Sequence, residues 1–540
     1  MFPWLVMAAL ALGCLLAAKR LIHYFQLESY QHPGYFRTLR RNLLKAVLPG
    51  LMMFAVWTVS AALLALLIPE EMEVLSQVLV SFIVIAAGAL TGRFLSERNA
   101  KKPLRYTPRV KRLYAVSLIC FFLILVLFRS IGFNAASAER EAGVNPAGYM
   151  LFLFPLFLPL WIALTGLIAW PVEKLISEMY FRDARRILDS RKDLIRIGIT
   201  GSWGKTSVKF ILGTILEEKY HTLVTPSSYN TPMGVTKVIR SSLEPGHRVF
   251  VAEMGARHVG DIKEMCRLVH PVYGVLTSVG PQHLDTFRTV ERVAKTKYEL
   301  MDAIPAEGHC FFADDGGICR DLYEKTGKPK SIAGLDSGRD DVWAEDIAVT
   351  PEGSRFLLCT RSGKTPCSTR MLGELNIRNI LLCASVALEL GLTPEQIARG
   401  IAKIKPVEHR LELIENPGGI TIIDDAFNSN IRGAEQAFQV LKSFSPTRIV
   451  ITPGMVELGA AEQEMNRRFG EMMCGCCDIA VLVGKKRSAA IREGLAAGGF
   501  PEENIHVADT LDDAAAYMRS VVKPGDTVLF ENDLPDNYSE

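Results

Sequence analysis

The sequence predicts an N-terminal multi-pass α-helical membrane region followed by an α/β region, the latter a P-loop central domain plus a smaller Rossmann-like C-terminal domain. Three observations predict it. Five apolar runs lie before residue 171, and short β-branched runs alternate with helical patterns after residue 192. A glycine-rich loop joins the first strand and first helix of that second part. At 540 residues the chain can build about three domains, each with its own core.

The apolar runs are Phe2–Ala18, Ala46–Ile68, Leu75–Thr91, Leu113–Phe128 and Tyr149–Trp170, each of a length and composition that can span a bilayer. The first lacks a basic start, and Lys19-Arg20 follows it where a signal-peptide cleavage site would need small residues, so it reads as a retained helix. Loop charge sets the orientation. Lysine and arginine crowd the stretches after the first run (Lys19, Arg20, Arg37, Arg40, Arg41, Lys45), the third (Arg93, Arg98, Lys101, Lys102, Arg105, Arg109, Lys111, Arg112) and the fifth (Lys174, Arg182, Arg185, Arg186, Arg191, Lys192). The loop 69–74 carries Glu70, Glu71 and Glu73 with no cation, and the loop 129–147 only Arg129 and Arg140. The chain is therefore expected in the plasma membrane with its N-terminus outside and everything after Trp170 in the cytoplasm. No ionisable side chain lies near the centre of a span, which argues against an ion or proton pathway. A net charge of +3 gives no global field for nucleic acid. The 11 cysteines show no two C-x-x-C motifs that could pair, the single such spacing being Cys474-Gly475-Cys476-Cys477. The group Cys474, Cys476 and Cys477 ends a helical pattern and reads as reduced, buried thiols.

The membrane region and its linker occupy residues 1–192, the central ATP-binding domain 193–407 and the C-terminal domain 408–540. In the central domain, strands are expected at Leu194–Thr200, His221–Thr225, Arg248–Met254 and Val272–Ser278, then a glycine-rich, strand-like stretch from Gly308 to Thr369. Gly391-Leu392-Thr393-Pro394 separates two helices. A second strand series runs Ile420–Asp424, Arg448–Thr452, Ile479–Val483, Ile505–Ala508 and Thr527–Glu531, the alternation of a parallel sheet wrapped by helices.

The segment Ile197-Gly198-Ile199-Thr200-Gly201-Ser202-Trp203-Gly204-Lys205-Thr206-Ser207 leaves a strand and opens a helix. Glycines let backbone N–H groups curl around phosphate oxygens, and the helix N-terminus adds partial positive charge. Lys205 is placed to reach the β- and γ-phosphates of ATP and the Thr206 hydroxyl to bind Mg²⁺. The spacing departs from a Walker A motif, because Gly198 stands one residue too far from Gly204-Lys205.

This loop resembles that of the Mur ligase family, and further landmarks match in order. Tyr229-Asn230-Thr231-Pro232-Met233-Gly234 is similar to the family's Asn-containing segment, Val251-Ala252-Glu253-Met254-Gly255-Ala256 to its Mg²⁺-binding strand and His283-Leu284-Asp285 to its metal-binding turn. Lys295-Thr296-Lys297-Tyr298-Glu299 is similar to its carbamylated helix, and Gly373-Glu374-Leu375-Asn376-Ile377-Arg378-Asn379 to its adenine-contacting motif. Glu408-His409-Arg410 is similar to the family's ribose- and phosphate-contacting Arg segment, while Asp424-Asp425-Ala426-Phe427-Asn428-Ser429-Asn430 and Thr452-Pro453-Gly454-Met455-Val456-Glu457-Leu458-Gly459 resemble the D-alanyl-D-alanine-adding (MurF) branch most closely.

The resemblance implies an ATP-dependent ligase that joins a carboxylate to an amine through an acyl-phosphate, in peptidoglycan or other cell-envelope synthesis. It implies nucleotide binding by Gly201, Gly204, Lys205, Thr206, Ser207, Asn376, Asn379, Arg410 and Asp425. Metal would be held by Thr206, Glu253, His283 and a carbamate on Lys297, with Lys295 as the alternative carbamate position; Lys205, His283 and Lys297 would carry the catalysis. Two departures bear on substrate. Five helices replace the branch's N-terminal UDP-sugar domain, and the chain ends Phe530-Glu531-Asn532-Asp533-Leu534-Pro535-Asp536 where the branch has a Lys-Gly-Ser-Arg-like turn serving the incoming dipeptide. A lipid-linked or membrane-proximal acceptor is the expectation that follows. A membrane-tethered poly-γ-glutamate-type synthetase and a scaffold switched by ATP are the competing readings.

Overall fold

The computed structural model describes residues 3–96, 103–138, 151–226, 229–350, 352–407, 409–415, 418–426, 431–444, 446–456, 458, 461–486 and 488–532. Phe2, Arg98, Lys101, Lys102, Arg140, Tyr149, Glu408, Phe427 to Asn430, Glu457, Gly459 and everything from Asp533 onward, all used above, lie outside the described residues. The chain separates into two compact units, Met1–Glu178 and Met179–Leu534.

The first unit is helical. Among the described residues, four helices are long and apolar enough to cross a membrane: Leu43–Leu64, Glu73–Phe94, Pro108–Ser130 and Leu151–Ser190. The expected first span is instead bent. Its helix Pro3–Ala17 stops where Lys19 and Arg20 end the apolar run, and the axis turns by 49° into Lys19–Leu27, so the pair makes a fifth span only if taken as one. Glycines set the contact between Pro3–Ala17 and Glu73–Phe94. A Cβ on Gly88 would collide with the backbone of Gly13, one on Gly92 with the Leu16 carbonyl, and one on Gly13 would come within 2.6 Å of the Val84 carbonyl. Small residues of this kind let helices approach where lipid supplies no hydrophobic drive between them. Arg112 grips Glu173 in a bidentate pair at 2.6 and 2.8 Å.

The second unit begins with the last turns of the helix Leu158–Ser190 and carries two sheets. The larger runs β2-β3-β1-β4-β5-β6-β7-β8-β9, with β1 Ile195–Thr200, β2 Thr222–Val224, β3 Val249–Glu253, β4 Tyr273–Leu276, β5 His309–Ala313, β6 Lys330–Ala333, β7 Val342–Thr350, β8 Gly353–Thr360 and β9 Gly363–Thr369. Strands β2 to β7 pair in parallel and β7–β8–β9 antiparallel. Both faces are buried, as parallel sheets require. Val249, Val251 and Phe311 turn into the core under the helices Lys205–Leu216 and Glu374–Glu389; Phe250, Ala252 and Phe312 turn into the opposite one. The glycine-rich stretch 308–369 contains one helix, Ile318–Lys325, started by Asp315 accepting the Gly317 and Cys319 amides. Thr393 and Gln396 form a capping box that opens the helix Pro394–Ala402.

The smaller sheet runs β10-β11-β15-β12-β13-β14, with β10 Glu412–Glu415, β11 Thr421–Asp425, β12 Arg448–Thr452, β13 Ile479–Val483, β14 Ile505–Ala508 and β15 Thr527–Glu531. Only the edge strand β10 is antiparallel. Cys476 and Cys477 are buried and Cys474 half-buried, all as free thiols, under this sheet's helices.

Candidate active site

In the larger sheet β1 lies between β3 and β4, while the chain leaves β1 on one side to make β2 and β3 and later crosses to the other to make β4. The crevice beyond the C-terminal end of such a strand is where open α/β sheets bind ligands. The glycine loop stands there, stapled to the segment after β4. Ser202 N–H donates to the Ser278 carbonyl at 2.9 Å, Trp203 N–H to Ser278 Oγ at 2.8 Å, and Ser202 Oγ to the Gly280 carbonyl at 3.1 Å. Gly201 packs so closely on Thr277 that any Cβ would collide with its hydroxyl. Gly204 has φ +80° and a Cβ there would lie 3.1 Å from Asn379 Oδ1, so both loop glycines are required by shape.

Beyond Gly204 the helix Lys205–Leu216 opens with no side-chain cap, leaving first-turn N–H groups directed into the crevice. Lys205 Nζ donates to the Gly201 and Ser202 carbonyls at 2.6 and 3.1 Å. Burial, with Arg410 nearby and Glu253 opposing, lowers its ammonium to about 8. Ser207 is buried in the same turn.

Glu253 is the hub. It ends β3 opposite Ile199 of β1, its side chain is 1% exposed, and three groups reach its carboxylate. Thr206 Oγ1 lies 3.1–3.2 Å from both oxygens, Asn230 Nδ2 donates to Oε1 at 3.1 Å, and Lys209 Nζ donates to Oε2 at 2.9 Å. Burial pushes this carboxyl up, but Lys209, Lys205 and the hydrogen bonds outweigh it and hold it below the usual range. Lys209 was not legible as a site residue. Its signal was a lysine on the row of Leu212 and Leu216, amid the apolar Val208, Phe210 and Ile211.

The helix Val290–Ala303 separates the two lysines of its motif: Lys297 is 1% exposed, whereas Lys295 faces solvent. Burial foremost, and then Lys205, drives the Lys297 amine well below its ordinary value. His283 stands at the start of the short helix Leu284–Phe287 with φ +51°, its carbonyl accepting the Thr286 and Phe287 amides. Two residues before β10, Arg410 feels Asp425, Glu253 and Glu531; Asp425 and Glu531 are register partners at the ends of β11 and β15. The structure thus gathers Lys205, Thr206, Glu253, Lys297 and Arg410 into one electrostatically coupled set. Asn376 lies on the same helix as Asn379 but spends its amide on the Leu372 carbonyl at 2.8 Å. A separate group, His409, Glu412 and Asp424, brings ligand-type atoms within 4.8 Å of one another, with His409 Nδ1 2.7 Å from Asp424 Oδ2.

Residues 199–387 match the Mur ligase middle domain and residues 409–531 the Mur ligase, glutamate ligase domain. The chain is 30% identical over 358 residues to the UDP-N-acetylmuramoyl-tripeptide–D-alanyl-D-alanine ligase of Mycobacterium tuberculosis, covering 62% of this chain and 69% of that one. It is 28% identical over 332 residues to the Escherichia coli protein of that name, covering 60% and 73%. Among solved structures, MurF from Acinetobacter baumannii superposes with TM-score 0.61 at 23% identity over 67% of this chain and 78% of that one. MurF from Thermotoga maritima, in complex with ADP, superposes with TM-score 0.60 at 24% identity over 66% and 80%. This chain belongs to the Mur ligase family and is an ATP-dependent ligase that forms peptide bonds.

Proposed function

We propose that the chain joins a carboxylate to an amine on a peptidoglycan or related envelope precursor at the cytoplasmic face of the plasma membrane. One observation carries this reading: Lys205, Thr206, Glu253 and Lys297 converge beside one glycine loop, in a chain whose described residues also hold four helices apolar enough to span a bilayer. The acceptor carboxylate attacks the γ-phosphorus of ATP and ADP leaves. The amine then attacks the acyl carbon, phosphate leaves and a proton is lost. Both steps gather negative charge on oxygen, so positioned cations do most of the work. Lys205 meets the transferring phosphoryl group, and Arg410, two residues before β10, faces it.

Mg²⁺ fits the residues present. Thr206 and Glu253 offer hard oxygen donors 3.1–3.2 Å apart in a buried cradle, the donor chemistry that this ion takes. His283 and a carbamate on Lys297 would complete the set, and the ion would supply charge neutralisation on phosphate oxygens. Carbamylation needs a neutral amine, and burial, which lowers the Lys297 amine well below its ordinary value, favours that form; the exposure of Lys295 favours Lys297 over it. A lipid-linked acceptor suits a chain whose first unit is apolar outward.

The test is ATP turnover by the full chain in detergent or nanodiscs. ADP release should require an acceptor carboxylate, and lipid-linked precursors lacking one residue should accumulate in a depleted strain. ADP release indifferent to every acceptor would leave the scaffold reading standing. Orientation is tested separately: a cysteine at Glu71 should react with an impermeant reagent in intact cells, and one at Lys111 only after lysis. The reverse pattern would place the site outside.

A further inference from the structure

The Lys209 side chain is 0% exposed, and its ammonium lies 2.9 Å from Glu253 Oε2. It stands one helical turn after Lys205, so the two ammonium groups share a helix face. Two lysines, Lys205 and Lys209, therefore act on one carboxylate. Asn230 already donates to Oε1 and Thr206 lies against both oxygens. A divalent cation arriving alone meets a carboxylate whose charge is already answered by Lys209, with Lys205 acting on it as well. A triphosphate brings negative charge that offsets the two lysines.

We propose that Lys209 is a positioning residue that holds the Glu253 carboxylate and makes metal binding there depend on bound nucleotide. The inference rests on the reading of Glu253 as a metal ligand. It assigns Lys209 a role that a merely structural ion pair lacks, because it concerns the order in which ligands load. The lysine is locked: its helix continues into Ile211 and Leu212, both fully buried, and no solvent reaches the ammonium. The pair is preserved when nucleotide is absent, and the charge on the triphosphate, not a movement of Glu253, admits the metal.

The experiment is Mn²⁺ binding by electron paramagnetic resonance to the full-length protein in detergent, with and without a non-hydrolysable ATP analogue. Wild type should bind Mn²⁺ tightly only with the analogue. Lys209→Met, close in length and without charge, should bind Mn²⁺ alone about tenfold or more tighter than wild type does, shrinking the nucleotide dependence. Lys209→Arg should restore the wild-type pattern. Lys209→Met/Glu253→Gln should lose nucleotide-free binding again. If removing the charge fails to strengthen nucleotide-free binding, or Lys209→Arg behaves like Lys209→Met, the inference is overturned. Should Lys209→Met not fold, Lys209→Gln puts the same question. If wild type binds no Mn²⁺ even with the analogue, the Glu253 assignment itself has failed, a different result from equal binding by wild type and variant.

Discussion

The two units handle apolar side chains in opposite ways. In the first, Leu66 is 81%, Phe82 71% and Phe94 82% exposed, and the tight contact between helices is made by Gly13, Gly88 and Gly92. In the second, Phe250, Phe311 and Phe312 are fully buried and alternate between the two faces of one sheet, while a lysine and a glutamate share its interior. Side chains turned outward leave backbone fit as the main way to specify a helix pair. Side chains turned inward make a rigid, dry frame on which a charged site can be held. Substitutions should therefore be read on different scales, catalysis in the second unit and assembly in the first.

The largest effect belongs to the glycine loop. Lys205→Ala should lower acceptor-dependent ATP turnover by about 10³-fold or more while leaving the helical content of the first unit unchanged by circular dichroism. Turnover at the wild-type rate would move the phosphate site elsewhere. Next comes the pair of lysines on the helix Val290–Ala303. Lys297→Ala should keep nucleotide binding yet lose ligation by about 10²-fold or more, with partial rescue by a short carboxylic acid. Lys295→Ala should stay within about twofold, as exposed positions usually do. The opposite ranking would shift the proposed carbamate by two residues.

That ranking also shows where sequence was informative. The glycine loop was readable from its strand–loop–helix order, whereas Asn230 and Glu253 came from the family resemblance of the segments that carry them. The motif's resemblance put the carbamate on Lys297 with Lys295 as the alternative, and the physical reason for that order lay elsewhere. The helical phase held it: Lys297 falls on the row of Val293, Leu300 and Met301, all buried, and Lys295 does not. Lys209 was hidden because a lysine in an apolar helix reads as the edge of its solvent face, and its partner lies 44 residues away across the sheet. The antiparallel edge strand β10 was missed because its four residues carry too little periodicity. The bend after Ala17 was missed because an apolar run predicts helix and says nothing of its axis.

In the first unit the sharpest probe is Gly88. Gly88→Leu forces side-chain atoms into the backbone of Gly13 and should destabilise the detergent-solubilised helical unit by about 1–3 kcal/mol, read as earlier loss of monodispersity on heating. ATP-analogue binding to the second unit should persist. A wild-type melting profile would mean that the two helices do not rely on this contact.

The smallest expected effect tests whether the second unit's frame stores charge at the end of β11 as well as at Glu253. Burial pushes the Asp425 carboxyl up to about 6 from an ordinary 3.8, with Arg410 and the Leu411 amide opposing. The sign follows from linkage. A carboxyl raised on folding binds its proton more tightly in the folded state, so its contribution is fully present below the ordinary value and is lost as pH rises through about 6. Carboxyls held low, such as Asp314 beside Arg320 and Asp478 beside Arg448, slope the other way, so wild type alone cannot isolate the term. The difference in melting temperature between wild type and Asp425→Asn can. Wild type should gain on the variant at about pH 4–5 relative to about pH 7, by a few degrees at most. A difference that grows toward neutral pH would show that Arg410 holds Asp425 ionised, and that the end of β11 presents a closed ion pair, not a carboxyl poised near neutrality.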